Sequence, residues 1–211
     1  MHPPLVVVRY HNPMDLFSAP DTLQPIPIDD GELSFLSQLA LPAPNDVILQ
    51  RLLEEIDWKE ETIFVWGKEQ KQPRLSAWYG EAAYTYSRRL FTPLPFTPLL
   101  AELKTIVEGV TGHRFNSVLL NCYRNERDSV GFHSDDEPEL GPTPAIASLT
   151  FGTTRTFILK HKTLPKTVKI DLTDGSLLLM AGMLQRHWKH GINKETKERG
   201  VRVNLTFRLI A

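Results

Sequence analysis

The segment Arg202-Val203-Asn204-Leu205-Thr206-Phe207-Arg208 alternates polar and apolar residues without a break. Side chains leave a strand on opposite faces with a period of two, so Val203, Leu205 and Phe207 share one face and Arg202, Asn204, Thr206 and Arg208 the other. The apolar face belongs against a core. The polar face puts two guanidiniums on one wall, and burying each without an anion costs several kcal/mol, roughly. Such a strand therefore requires either a bound dicarboxylate or a solvated groove beside it.

The second half of the chain supplies the strands to build round it. Short β-prone runs at 117–123, 145–151, 155–161, 167–172, 176–181 and 201–209 are separated by Gly, Pro and Asp, a spacing that suits a sandwich or jelly roll. Thr173-Asp174-Gly175 reads as a hairpin turn between two of them. A strand at 62–66 precedes this region. Asn45 reads as the N-cap of a helix through about Asp57, with Val47, Ile48, Leu52, Leu53 and Ile56 as its apolar stripe. Thr97 and Pro98 open a second helix that carries Leu100, Leu103, Val107 and Val110 and ends at Gly112. Residues 1–44, rich in proline, read as an arm ahead of a domain over 45–211, and Met14 is an alternative start.

With 211 residues, of which 41% are hydrophobic and 23% charged, the chain has enough apolar surface for one core and too little for two. A net charge of −1 excludes a broadly basic nucleic-acid binder, so any such contact is local. From Arg186 onward Arg186, Lys189, Lys194, Lys197, Arg199, Arg202 and Arg208 face only Glu195 and Glu198, so the C-terminal part is basic. The lone Cys122 excludes an internal disulfide, fits a reducing compartment and packs as a small hydrophobe. No apolar run approaches the roughly 20 residues of a bilayer span, and residues 5–8 are too short and wrongly flanked for a signal peptide. The expectation is a soluble intracellular monomer without membrane contact, cytoplasmic in a bacterium and nuclear in a eukaryote.

His133-Ser134-Asp135 places an imidazole and a carboxylate on one face of an extended segment. A third donor comes from Arg186-His187-Trp188-Lys189-His190, where either histidine qualifies. Two histidines and one carboxylate form the facial triad of non-haem Fe(II) oxygenases, which leaves coordination positions open for a cosubstrate and oxygen. Asn121 and Tyr123 likewise share one face of their strand, opposite Val118, Leu120 and Cys122. An H-x-D tripeptide alone occurs often by chance. What constrains the reading is its conjunction with the Asn121/Tyr123 pair, the later histidines and the two-arginine strand, in that order.

In that conjunction the chain resembles the AlkB family of Fe(II)- and 2-oxoglutarate-dependent nucleic-acid demethylases. The matching text is Asn121-Cys122-Tyr123, His133-Ser134-Asp135-Asp136-Glu137, 146–152 (IASLTFG), 175–180 (GSLLLM), His187-Trp188-Lys189-His190 and the arginine strand, within residues 60–210. The resemblance implies an α+β, mostly β fold: a double-stranded β-helix core over about 115–211, supported by N-terminal helices and covered by a nucleotide-recognition lid over about 60–90. It implies that His133, Asp135 and His190 hold iron and that Asn121, Tyr123, Arg202, Asn204, Thr206 and Arg208 hold 2-oxoglutarate, with O2 as the other cosubstrate. An arginine fork pairs with a carboxylate through two bonds, which lysine cannot reproduce.

The duplex-preferring DNA-repair branch is the nearest in pattern, through Phe64-Val65-Trp66-Gly67-Lys68, Pro73-Arg74, Tyr79-Gly80-Glu81 and Tyr84-Thr85-Tyr86-Ser87. In that branch the residue at Trp66 is an aromatic finger that fills the gap left by an extruded base, against the competing reading of a core tryptophan. Tyr86 would stack on the base against His133, while Tyr84, Ser87, Arg74, Asp136 and Glu137 would border the pocket or backbone. The implied partner is alkylated DNA, duplex or single-stranded, or RNA. The implied reaction is oxidative demethylation of 1-methyladenine and 3-methylcytosine with release of formaldehyde; a hydroxylase of a substrate other than nucleic acid is the alternative. One departure bears on the duplex: where the branch has a basic run, this chain reads Lys194-Glu195-Thr196-Lys197-Glu198-Arg199.

Overall fold

A computed structural model describes residues 6–10, 22–65, 68–81, 84–86, 89–91 and 93–211. The strands run β1 (Val6–Tyr10), β2 (Gln24–Pro25), β3 (Glu32–Leu36), β4 (Thr62–Val65), β5 (Lys68–Lys71), β6 (Leu75–Gly80), β7 (Tyr84–Tyr86), β8 (Arg89–Phe91), β9 (Ser117–Tyr123) and β10 (Val130–His133). They continue through β11 (Ile146–Gly152), β12 (Arg155–His161), β13 (Lys166–Leu172), β14 (Leu177–Ala181), β15 (Trp188–Ile192) and β16 (Arg202–Arg208). The helices are α1 (Asn45–Glu55), α2 (Pro98–Thr111) and the short α3 (Leu184–His187).

The alternation in β16 decides the layering. Val203, Leu205 and Phe207 are wholly buried against a cluster that includes Ile48 and Leu52 of α1 and Leu99, Leu100, Leu103 and Val107 of α2. Each such side chain contributes about 1.5–3 kcal/mol on burial. The strand lies between β11 and β9 in the interior of a seven-stranded sheet in the order β2-β3-β14-β11-β16-β9-β6. A five-stranded sheet, β1-β13-β12-β15-β10, brings Phe157, Leu159, Val168, Ile170 and Trp188 together with Ile146, Leu178 and Met180 of the large one. Helices therefore back one face of the large sheet, and the small sheet closes the other into the expected jelly roll. Two ribbons, β4-β5 and β7-β8, occupy the expected lid region. No helix among the described residues is long and apolar enough to cross a membrane.

Local chemistry explains the helix ends. Thr97 caps α2, its hydroxyl accepting from the Leu100 N–H at 3.2 Å, and Gly112 closes it with φ at 71°. At α1 the expected cap is corrected: Pro44 holds the N-cap position, and the Asn45 side chain instead donates to Asp174 at 3.2 Å. Thr173-Asp174-Gly175 does not close a hairpin either. It carries the chain from β13 in the small sheet to β14 in the large one, because β13 pairs with β12 and β1 while β14 pairs with β11 and β3.

The expected arm over residues 1–44 is corrected in its described part. β3 pairs with β14, and Ile26, Leu33, Leu36 and Leu39 are buried. Proline in β2 fits a sheet edge, where no neighbour needs its missing N–H. A boundary at residue 45 would cut a core layer.

Gly152 sits at φ +86°, and a Cβ there would lie 2.4 Å from the Val201 carbonyl oxygen. Gly152→Ala is expected to cost about 1–3 kcal/mol of stability, read as a lower urea midpoint at unchanged m-value. An unchanged midpoint contradicts the close approach.

Candidate active site

The two sheets meet round one pocket. Its lining includes His133, Asp135, His190, Asn121, Tyr123, Arg202, Asn204, Thr206, Arg208 and Arg74. Every residue expected to hold metal or cosubstrate thus faces the same space. Asp136 and Glu137 lie outside that lining: Asp136 is exposed beside Lys162 at 3.4 Å, and Glu137 precedes a short 3-10 turn. Trp66 and Ser87 lie outside the described residues, and Tyr84 and Tyr86 are described only as members of β7.

Strand pairing brings the metal donors together. β10 and β15 run antiparallel with His133 opposite His190, and Asp135 follows at the end of β10. One donor atom from each residue lies within 4.8 Å of the others. The ring nitrogen Nδ1 of His133 is 2.8 Å from the Gly131 carbonyl, which can only accept, so Nδ1 carries a proton and Nε2 is the nitrogen turned to Asp135 at 3.4 Å. Burial disfavours a charge on this ring, but the Asp135 carboxylate and the Gly131 carbonyl outweigh it and raise its pKa, so Nε2 gives up a proton when a metal takes its lone pair. Burial holds His190 down to about 3, with the charge of His133 acting in the same direction, so it is a neutral imidazole at pH 7. Burial alone would raise the Asp135 carboxyl; the Arg208 guanidinium and the two imidazoles outweigh it and hold it well below the usual range. The triad presents two imidazoles and a carboxylate.

His187, the other sequence candidate, belongs elsewhere. It groups with Asp30 and His161, also within 4.8 Å. In that group Nδ1 of His161 accepts from the Leu164 N–H at 2.9 Å, so its Nε2 keeps the proton and donates to Asp30 at 3.1 Å. No lone pair of His161 is left for a metal, and the cluster is a hydrogen-bonded anchor.

The polar face of β16 forms one network. Asn204 Oδ1 accepts from Ser148, Thr150 and Arg202 at 3.0, 3.0 and 2.7 Å, which fixes its amide so that Nδ2 donates to Thr206 at 3.0 Å. Arg208 donates to Asp135 at 2.7 Å and is thereby tied to the metal donors. Arg74 donates to Asn121 at 2.6 Å. Arg202 differs. Among the described residues its Nη2 donates to Thr150 and Asn204 and its Cζ lies 5.0 Å from the Tyr123 ring centre, while Nε and Nη1 are buried without a hydrogen-bond partner. A guanidinium 1% exposed with two unpartnered nitrogens fits an acceptor that the pocket is shaped to admit, and a carboxylate is the natural one.

Several supports escaped the sequence reading. Gln185 accepts from the Asp135 N–H at 3.0 Å and Ser134 donates to the Trp188 carbonyl at 2.8 Å, pinning the His-Ser-Asp loop to the segment that carries His190. Nothing in the sequence marks Gln185. Ser148 and Thr150 were legible, because they share one face of β11 by the same period of two.

Comparison with known proteins agrees with this geometry. A family model described as the 2OG-Fe(II) oxygenase superfamily matches residues 32–208. The human protein named alpha-ketoglutarate-dependent dioxygenase alkB homolog 3 is 49% identical over 175 residues, covering 78% of this chain and 61% of that relative. The human DNA oxidative demethylase ALKBH2 is 39% identical over 181 residues, covering 80% of this chain and 69% of the relative. The chain therefore spans about three fifths of the first and about two thirds of the second. A solved structure titled the structure of OsALKBH1 superposes with a TM-score of 0.64 at 19% identity, over 88% of this chain and 100% of that one, which shows a shared fold.

Proposed function

This chain belongs to the 2OG-Fe(II) oxygenase superfamily and, within it, to the AlkB family, and from that premise we propose that it demethylates N-alkylated bases of nucleic acid. The observation that carries the reading is the juxtaposition, in one pocket, of two imidazoles, a carboxylate and the half-satisfied guanidinium of Arg202. His133, Asp135 and His190 would hold Fe(II), and Arg202, with Asn121, Tyr123, Asn204, Thr206 and Arg208, would hold 2-oxoglutarate. Bound there, iron with 2-oxoglutarate and O2 would supply a two-electron oxidation that puts one oxygen atom on the substrate methyl group, the other oxygen being accounted for in the succinate and CO2 formed from the keto acid.

The chain's own residues orient and shield. Arg208 fixes the carboxylate of Asp135 and Gln185 fixes its backbone, so the donor set is held before anything binds. The hydroxymethyl group on the base nitrogen then breaks its C–N bond, releasing formaldehyde and restoring the base. With 1-methyladenine and 3-methylcytosine as substrates, no protein nucleophile is needed. Trp66 and Tyr86 would support the extruded base by stacking, worth about 1–3 kcal/mol per base. That role rests on the family pattern and on the name of ALKBH2, a DNA oxidative demethylase.

The loop at 194–199 favours a single strand over a duplex. Arg199 is tied to Glu195 at 2.5 Å, which leaves Lys194 and Lys197 as the loop's other cations. Each phosphate contact forgone lowers the salt slope of binding by roughly 0.9.

The test is formaldehyde release from methylated single- and double-stranded DNA and from methylated RNA at fixed salt, with Fe(II) loaded anaerobically. Wild-type turnover with succinate formed in equal amount, and its loss in His133→Ala, are expected. No formaldehyde from the wild type, or an undiminished yield from His133→Ala, overturns the reading. Intact turnover in Trp66→Ala and Tyr86→Ala would instead remove the stacking roles assigned to them.

A further inference from the structure

Arg155, the first residue of β12, is a buried guanidinium with no part in the chemistry above. Its side chain is 1% exposed. Nη2 donates to the carbonyls of Asp128 and Asn193 at 3.0 and 2.6 Å, Nη1 to that of Asn125 at 3.2 Å, and Nε to the Glu195 carboxylate at 3.2 Å. It thus joins β12 to the loop after β9 and to the loop before β16, the two segments that flank Tyr123 and Arg202. Its Cζ also lies 5.7 Å from the centre of the Tyr123 ring, and the Cζ of Arg202 lies 5.0 Å from the same centre. Two guanidiniums converge on one phenol.

The charges there do not cancel. Three of the four bonds of Arg155 go to neutral carbonyls; Glu195, the one carboxylate it bonds, is shared with Arg199, and the buried Asp128 carboxylate, which also feels its charge, is bonded by Arg124. Arg202 has no carboxylate partner among the described residues, whereas Arg208 has Asp135. A buried guanidinium left short of negative charge costs several kcal/mol, roughly, unless an anion completes it. Two of them beside one ring leave that wall of the pocket short of negative charge at Arg202, whose Nε and Nη1 are buried without a hydrogen-bond partner.

We infer that Arg155 is a positioning residue that selects a dianionic cosubstrate, acting through Tyr123 by fixing its ring and by adding its charge behind that of Arg202. This rests on the 2-oxoglutarate reading of the pocket and extends it to a residue outside the lining. A purely structural Arg155 would lower all ligand binding alike. A charge-and-ring role weakens the dicarboxylate selectively.

The experiment measures anaerobic binding of 2-oxoglutarate to the full chain with Mn(II) in place of iron, together with competition by 2-oxobutyrate, which keeps the 2-oxo acid end and lacks the second carboxylate. For Arg155→Met the expected result is 2-oxoglutarate binding weakened about tenfold or more, as for the loss of residues that orient a ligand, with Mn(II) affinity unchanged and 2-oxobutyrate affected far less. Arg155→Lys keeps the charge but not the fork and is expected to fall between; should the Met variant fail to fold, the Lys variant carries the test, with the same selectivity required. An equal loss for both acids, or no loss, overturns the inference alone. A wild type that takes up no 2-oxoglutarate overturns the reading of the pocket, and the inference with it.

Discussion

Asp135→Asn is expected to abolish turnover and to lower the melting temperature at once. Asp135 is 2% exposed and accepts from Arg208 at 2.7 Å, so the substitution removes the anion from a buried pair and one donor from the triad. Breaking a buried pair costs about 3–5 kcal/mol, with the smaller figure expected here because an amide oxygen still accepts from Arg208. For a chain of this size that lowers the Tm by roughly 6–20 °C. If the same loss falls on the metal-loaded state, turnover drops by about 10²–10⁴-fold. Differential scanning calorimetry of the metal-free protein and a formaldehyde assay of the loaded one separate the two effects. A variant with wild-type Tm and wild-type turnover would show that Asp135 neither pairs with Arg208 nor serves the site.

Arg202→Met should move stability and binding in opposite directions. In the free protein Arg202 is a buried cation with two unpartnered nitrogens, and replacing such a group by a hydrophobe of similar volume is often neutral or stabilising by about 1–4 kcal/mol. The neighbouring amide of Asn204 keeps Ser148 and Thr150 as donors, so the network loses one member without collapsing. Binding of 2-oxoglutarate is expected to weaken by about 2–5 kcal/mol, the usual cost of truncating one partner of a buried charge-assisted contact. Urea unfolding of the free protein and calorimetric titration with 2-oxoglutarate give the two numbers. A large loss of stability without loss of affinity would make Arg202 a structural residue.

How much of this was legible depends on the range over which each feature is decided. The two faces of β16 follow from period two alone, and Val203, Leu205 and Phe207 lie in the core while Arg202, Asn204, Thr206 and Arg208 line the pocket. Thr97, Pro98 and Gly112 announce α2 because caps are local chemistry. The choice between His187 and His190 was not local. It depends on the pairing of β10 with β15, which sets His190 opposite His133, while His187 ends α3 beside His161. β15 itself has no period-two signature, since it carries Gly191, where a Cβ would lie 2.9 Å from the Val130 carbonyl oxygen. The same holds for β3, whose partner β14 is more than a hundred residues away and whose proline-rich flank reads as an arm. Arg155 and Gln185 earn their interest only from neighbours brought in by the fold.

The central claim is that His133, Asp135 and His190 hold one divalent metal in direct communication with an acid bound at Arg202. Mn(II) titrated anaerobically into the protein and followed by electron paramagnetic resonance, before and after 2-oxoglutarate, tests it most directly. One bound Mn(II) per chain, a spectrum altered by 2-oxoglutarate, and no bound ion in His190→Ala are the predicted results. Undiminished Mn(II) binding in His190→Ala, or a bound ion whose spectrum ignores 2-oxoglutarate, would contradict it.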